Sequence, residues 1–511
     1  MPVHQLLAGA ATKAPNSVAV RHLGHEATWS ELYERVGKRA SKLRSSGLQD
    51  GDRVAILSAN VPECMEAQFG LLLADLVLVP LNTRLSLAEQ TYILEHCACK
   101  RLLYDERNHT QAVALESAVA QLQVELLTPI TQWDTEHDPL KAFSALSFVP
   151  CDANKTAAIF YTGGTTGRPK GVELTHLSLL IQGMSAKDNY DLDETTVFMH
   201  SAPMFHLADF AASLGSTAAL STHCFLPEYS PDAVLDSIEN EGTNVVIMVP
   251  TMITGVLEAA RTRKDLFKRL RKVLYGAAPI QEPLLLQLMR EAPGVKLVQV
   301  YGQTEVGGAC SVLTPDRHVL QGPLAGKTGS AGRVIPAFNV RIVGDEGEVL
   351  PVGKTGEIQL CGPGLMRSYW NDPAQTQAAF VNGWLRTGDL GYLDEEGFLT
   401  ISGRLKDMII SGGENIFAGE VESTLMYHEA VEAVAVIGVP DSKWGETVHA
   451  VVYLKSGAMA TEDELIGFCR QRIAHYKAPR SITIRDDPLP LSGVGKVRKV
   501  DLINEWKSKN A

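Results

Sequence analysis

The sequence predicts an α/β protein: a large N-terminal part of layered, largely parallel sheets, then a more antiparallel β unit, then a small C-terminal α+β domain. Three observations carry this reading. Short, almost wholly apolar runs alternate with amphipathic stretches through most of the chain, the pattern of strands covered on both faces by helices. After about Gly322, Gly, Pro and Asp punctuation becomes dense between short strands, which favours hairpins and turns. The stretch from Lys406 to Ala511 is the right size for a separate domain, and a chain of 511 residues is too long for one ordinary core.

The parallel layers are read from the runs Arg53 to Leu57, Leu76 to Pro80, Asn244 to Pro250 and Lys272 to Tyr275. Leu32 to Leu43 and Pro231 to Glu241 have the helical spacing expected between such strands. The antiparallel unit is read from Val340 to Val343, Gly356 to Cys361 and Gly397 to Ile401. In the C-terminal part, Val431 to Val439 and Thr447 to Leu454 read as strands and Glu462 to Ile473 as a helix.

Apolar residues make up 45% and charged residues 21% of the chain, the composition of a globular protein. Lys plus Arg number 47 against 59 Asp plus Glu, a formal charge of −12. That balance argues against a nucleic-acid binder and leaves room for a local basic nucleotide site. The start, Met1-Pro-Val-His-Gln5, has no basic region followed by an apolar one, so no secretory signal is expected. The apolar run Leu71 to Leu81 is broken by Asp75 and is too short to cross a bilayer. Of eight cysteines only Cys97 and Cys99 are close, with no CxxC or Cys/His spacing. Buried, reduced thiols in the cytoplasm are therefore expected, rather than a metal site or a disulfide framework.

The strongest local signal is Ile159-Phe-Tyr-Thr-Gly-Gly-Thr-Thr-Gly-Arg-Pro-Lys-Gly171. An apolar strand runs into glycines and hydroxyls, then into Arg168 and Lys170. Glycines let successive N–H groups turn toward one anion and threonines add donors, which suits a polyphosphate. A Walker A loop is excluded, because Pro169 precedes Lys170 and Gly171 follows it.

This segment resembles the signature loop of the adenylate-forming superfamily, which comprises acyl- and aryl-CoA synthetases, luciferases and peptide-synthetase adenylation domains. The loop here has Gly163 where the family usually has Ser, which removes one hydroxyl donor and keeps the backbone donors. Further segments resemble the family's motifs in the family's order, from about residue 10 to 505. They are Ala202-Pro-Met-Phe-His-Leu-Ala208, Tyr275-Gly-Ala-Ala-Pro279, Tyr301-Gly-Gln-Thr-Glu305, Trp384-Leu-Arg-Thr-Gly-Asp389, Gly403-Arg-Leu-Lys-Asp407, Ile410-Ser-Gly-Gly-Glu-Asn-Ile-Phe417 and Leu489-Pro-Leu-Ser-Gly-Val-Gly-Lys496.

The resemblance implies a role for each. Thr162, Gly163, Gly164, Thr165, Thr166, Gly167 and Lys170 would cradle phosphates. Gly276, Ala277, Ala278 and Pro279 would lie along adenine, with Tyr301 and Gly302 beside them and Tyr301 stacked on the ring. Thr304 would bond phosphate, and Glu305 would hold Mg²⁺, which prefers hard oxygen ligands. Asp389 would accept from the ribose hydroxyls, with Arg404 near ribose and phosphate. Gly412 and Gly413 would admit the pantetheine of CoA, His206 would line the acid pocket, and Lys496 would bridge the acid's carboxylate and the α-phosphate. The resemblance also implies a β-barrel-like subdomain and a C-terminal domain, 406–511, that rotates against 1–405 about Lys406.

The implied activity is an ATP-dependent acid–CoA ligase that forms an acyl-adenylate with release of pyrophosphate and then an acyl-CoA. ATP, Mg²⁺ and CoA are the expected cofactors and co-substrates. The acid is the small-molecule partner, nucleic acid is not one, and a homodimer is allowed. The residues expected to form the pocket, around Met204 to Phe210, Thr251 to Thr254, Gly276 and Val306 to Cys310, are mostly small or apolar, so the acid should be largely hydrophobic. Ala208, where plant coumarate ligases carry Tyr, leaves room for a medium or long fatty acyl chain. An aryl acid, or an acyl-AMP ligase that loads a carrier protein, is the alternative. No insertion separates Asp389 from Arg404, which favours CoA. A luciferase-like oxygenase or a non-catalytic ATP binder would share part of the motif set. The segment Leu73-Ala-Asp-Leu-Val77 departs from the family's usual Ala-Gly pair.

Overall fold

A computed structural model describes residues 1–127, 152–162, 168–491 and 497–509. Two large sheets form its frame. The nine-stranded sheet runs Arg333–Val334, Gly308–Leu313, Lys296–Gln303, Lys272–Gly276, Val245–Met248, Val197–His200, Thr222–Phe225, Val18–His22, His25–Thr28. The strands from Lys296–Gln303 to Val18–His22 are parallel and the outer ones antiparallel. The seven-stranded sheet runs Ser368–Tyr369, Lys170–Thr175, Thr156–Thr162, Val77–Pro80, Arg53–Leu57, Arg101–Tyr104, Gln123–Leu126. Its hairpin Thr156–Thr162 and Lys170–Thr175 is antiparallel, and the phosphate-loop sequence lies between those two strands. The largest core cluster joins Phe69 and Phe160 with Phe198 and Phe210.

The helix expected over Leu32 to Leu43 spans Trp29–Ser45. Its earlier start has a local cause. Thr28 N–H donates to Glu31 (2.7 Å), and Glu31 N–H donates to the Thr28 hydroxyl (3.2 Å), a capping box that satisfies two helix-end donors. Leu32, Val36, Ala40 and Leu43 form the buried stripe. On the same helix, buried Arg39 reaches Glu66 (3.0 Å) and Glu125 (2.9 Å), tying it to the seven-stranded sheet.

The barrel-like unit is an open antiparallel sheet of Asn339–Val343, Gly356–Cys361, Trp384–Leu393, Phe380–Val381 and Leu399–Arg404. Beyond the short turn Leu405–Asp407, the strands Met408–Ser411, Glu414–Phe417, Val431–Asp441, Gly445–Leu454 and Ser481–Arg485 make a further sheet. It has its own apolar cluster, which includes Ile416, Val421, Val448, Ala450 and Leu465. No helix among the described residues is long and apolar enough to cross a membrane.

Asp75 adopts a left-handed backbone, φ +56°, which explains why glycine suits this position: a Cβ there is strained. Its carbonyl accepts from Gly51 N–H (2.9 Å) and its carboxylate pairs with Lys155, so local partners offset the strain.

Buried histidines, His4, His176 and His318 among them, are expected to make the fold acid-labile. Burial lowers the pKa of His4, His176 and His318 from 6.5 to about 4 each. Among the described residues neither ring nitrogen of His176 has a hydrogen-bond partner. Between pH 6.5 and about 4 the unfolded chain therefore binds protons that the folded chain does not. Stability should be complete above that window and fall on acidification by about 1.4 kcal/mol per histidine per pH unit. Thermal melts from neutral pH to about pH 5 should show the loss, and His176→Leu should flatten the slope by one proton's share. An unchanged slope in that variant would refute the assignment.

Candidate active site

Four parallel strands of the nine-stranded sheet lie side by side: Lys296–Gln303, Lys272–Gly276, Val245–Met248 and Val197–His200. Their carboxyl ends carry, in the same order, Thr304–Glu305, Ala277–Pro279, Thr251 and His206. Ligand crevices of α/β sheets form at such ends, where loops converge on a rigid edge. Segments far apart in the chain thus share one rim.

At the first strand, Tyr301 and Gly302 flank a register shift against Gly308–Leu313. The turn Thr304–Val306 follows and is closed by Gly307 at φ +73°. Gln182 fixes the far side, donating to the carbonyls of Val306 (2.7 Å) and Ala309 (3.0 Å). At the second strand, Gly276 lies so close to its neighbour that a Cβ would sit 2.1 Å from the Val300 carbonyl oxygen. Ala277 then turns into the left-handed region, φ +62°.

The antiparallel sheet brings Asp389 to this rim. Asp389 and Arg404, on neighbouring strands, are directly paired, and Arg404 Nε lies 3.3 Å from Asp389 Oδ1. The hydroxyl of Tyr301 donates to Asp389 Oδ2 at 2.7 Å. Burial, and then the adjacent carboxylate, push the Tyr301 phenol well above its ordinary pKa, so it remains a donor. Asp389 N–H donates to Thr387 Oγ1 (3.1 Å), whose hydroxyl donates to the Ile358 carbonyl (2.7 Å). The carboxylate is thereby held against the Tyr301-Gly-Gln-Thr-Glu305 segment.

Tyr369 connects this rim to the phosphate-loop hairpin, and sequence reasoning missed it. Its hydroxyl donates to Glu305 Oε1 (2.9 Å) and its ring lies 5.0 Å from Lys170 Nζ. Thr162 and Lys170 are cross-strand partners at the mouth of that hairpin. The strand Ser368–Tyr369 is two residues long, too short for any periodic signal. A single carboxylate such as Glu305 suits Mg²⁺, which usually keeps several waters and substrate oxygens.

Gly412 and Gly413 belong to the C-terminal sheet. They form the two-residue turn between Met408–Ser411 and Glu414–Phe417, with φ +62° and +88°, the signs that a tight hairpin turn requires. The turn is exposed and Gly412 packs on Trp444, where a Cβ would come within 2.5 Å of the indole. Gly163, Gly164, Thr165, Thr166, Gly167 and Lys496 lie outside the described residues.

The apolar set expected to line the acid pocket divides in two. Met204, Phe210, Val306 and Cys310 are buried in the main core cluster, with Phe210 against Phe160 at 5.6 Å. Ala208, Thr251 and Thr254 are exposed, and His206 and Gly276 half-buried. Fewer residues of the expected set are accessible than the sequence suggested, and Phe205 and Met252 are its half-buried apolar members.

Comparisons with known proteins identify the family. The family model of the AMP-binding enzymes matches residues 7–370, and that of the AMP-binding enzyme C-terminal domain matches 420–496. Over 497 residues the chain is 38% identical to a feruloyl-CoA synthase of Amycolatopsis sp, covering 96% of each. It is 33% identical to a long-chain-fatty-acid–CoA ligase of Bacillus subtilis, covering 98% of this chain and 94% of the relative. Among solved structures it resembles the o-succinylbenzoate CoA synthetase of Bacillus subtilis in complex with its acyl-adenylate intermediate. That likeness has a TM-score of 0.83 and 30% identity over 98% of each chain. The chain belongs to the AMP-binding enzyme family, as an AMP-forming acid–CoA ligase that uses ATP, Mg²⁺ and CoA.

Proposed function

We propose that the rim of strand ends performs adenylation, and that the observation carrying this is the Tyr301–Asp389–Arg404 cluster beside Thr304 and Glu305. In this reading Asp389 accepts from the ribose hydroxyls with Arg404 beside it, and Gly276 to Pro279, Tyr301 and Gly302 flank adenine. The hairpin from Thr162 to Lys170 and Thr304 hold phosphates, and Glu305 holds Mg²⁺. The acid's carboxylate attacks the α-phosphate, pyrophosphate leaves, and the CoA thiol then displaces AMP from the mixed anhydride. Two anions meet in the first step, so cationic and N–H donors must offset their repulsion and align them. Lys496 is the residue assigned to that task, by sequence alone.

The chain divides, in the same reading, into 1–405 and a mobile 406–511 that turns about Lys406. Rotation presents Lys496 for the first step and the Gly412–Gly413 turn for the second, a hinge device common in two-step enzymes. A cytoplasmic location accompanies it. Gly413→Leu should spare acid-dependent ATP–pyrophosphate exchange and block CoA consumption, because a branched side chain meets both the left-handed φ and the thiol's path. Gly413→Asn, which tolerates that backbone, should retain more activity. Normal thioester formation by the leucine variant would refute the assignment.

The acid is hydrophobic and enters beside His206. Ala208, small and exposed, supports a medium- or long-chain fatty acid, as does the fatty-acid ligase relative. A second reading, an aryl acid, is favoured by the feruloyl-CoA synthase relative. Pyrophosphate release with octanoate, palmitate, ferulate and indole-3-acetate, each with and without CoA, decides between them. Turnover of neither group would overturn the hydrophobic-acid reading.

A further inference from the structure

We propose that Asp209 and His200 are positioning residues for the acid site, holding the segment that carries His206; this rests on His206 lining that site. The segment leaves the strand Val197–His200 and enters the helix Leu207–Ala218 with His206 as its N-cap. Among the described residues no N-cap side-chain bond closes that helix, so its first turn draws on other contacts. The ring of His200, the last strand residue, reaches across to the first turn of the helix, Nδ1 to Asp209 Oδ2 at 2.7 Å. That bond closes the segment into a loop with His206 inside it.

The loop is also held from behind. Asn60 donates to the carbonyls of His200 (2.8 Å) and Ala202 (2.7 Å) and accepts from Met204 N–H (2.9 Å). Gln68 donates to the Met204 carbonyl at 3.2 Å. The C-terminal end of the segment meets the His200–Asp209 bond.

The hydrogen-bond order beyond His200 specifies the proton inventory. Thr217 spends its hydroxyl proton on the Ser213 carbonyl (2.9 Å), so it can only accept from His223 Nε2 (3.3 Å). Burial keeps His223 neutral by lowering its pKa well below the ordinary value, so its Nδ1 accepts from His200 Nε2 (2.9 Å). One remaining proton lies between His200 Nδ1 and Asp209 Oδ2. The pair is neutral overall whichever atom holds it, which makes full burial of both side chains tolerable. Phe225 stacks on the His200 ring at 4.8 Å and Phe198 meets it edge-on at 5.1 Å, so the imidazole has one orientation in which to hold Asp209.

Asp209→Ala removes the tie and leaves His200 Nδ1 without its partner, while Nε2 still meets His223. Asp209→Asn keeps it, because the amide N–H can donate to a neutral His200 while His200 still donates to His223. Steady-state kinetics with ferulate and palmitate, using whichever the wild type turns over, should show the acid KM raised at least about tenfold in D209A, because a displaced reactant loses alignment. The ATP KM should stay within about twofold, and D209N should restore most of the acid KM, as retained geometry requires. If D209A does not fold, Thr217→Val, which removes the last acceptor and the hydroxyl's bond to the Ser213 carbonyl, should raise the acid KM about threefold by the same argument. His206→Ala is the parallel arm. An acid KM raised by H206A but unmoved in folded D209A, or D209A losses shared equally by ATP, would overturn the inference. An acid KM unmoved by H206A would overturn the reading of His206 and the inference with it.

Discussion

Lys496→Ala is expected to slow acid-dependent adenylate formation by about two to three orders of magnitude, the size of effect that follows loss of one electrostatic stabiliser. The carboxylate and the α-phosphate are both anionic, and a lysine between them is stabilising only while they approach. Once pyrophosphate has left, the mixed anhydride needs no such bridge. Thioester formation from pre-made acyl-adenylate should therefore change by far less. Rapid-quench measurement of each half-reaction separates the two. Equal losses in both would remove Lys496 from the first step and assign it a general structural part.

Gly302→Ala should be nearly as damaging, for a reason that lies wholly in the backbone. A Cβ at Gly302 would sit 1.8 Å from the Gly308 carbonyl oxygen and 2.9 Å from Ala309 Cα. Neither is the end of a flexible side chain, so Lys296–Gln303 and Gly308–Leu313 must part at their register shift. Tyr301 would leave Asp389, and Thr304 and Glu305 would leave the rim together. A displacement of about 1 Å can cost a hundredfold in rate, and overpacking of this kind costs about 1–3 kcal/mol. Pyrophosphate release should fall by at least that factor in folded protein. Gly9→Ala is the control, a glycine in the helix Gln5–Lys13 whose Cβ would meet nothing within 4 Å. Wild-type rates in G302A would show that the crevice tolerates an opened strand pair.

The α/β class, the change to antiparallel sheets and most strands were legible because their signals are local. Gly356–Cys361 and Arg53–Leu57 have the expected bounds, since apolar alternation and flanking turns end them in the sequence itself. Thr28 and Glu31 carried the start of Trp29–Ser45 equally openly, as a capping box outside the apolar stripe. The motif order was legible for a related reason: strand-end loops need particular residue types wherever a backbone must meet phosphate or adenine.

Composition cannot say which way a side chain faces. Met204 and Phe210 flank His206 in sequence yet belong to the core, while Ala208 between them is exposed, because the helix turns Phe210 inward and the segment before it, tied to Asn60 and Gln68, buries Met204. Tyr369 joins Glu305 to Lys170 across 64 and 199 residues (369 − 305 and 369 − 170), from a strand too short to carry a pattern. The tie between His200, Asp209 and His223 exists only because two parallel strands and a helix bury the three side chains together. Thus the sequence by itself determined the chemistry, since residue type at each strand end dictates what can be bound there. Only the tertiary structure decided which groups hold one another in place, because burial and cross-strand pairing are properties of packed layers rather than of neighbouring residues.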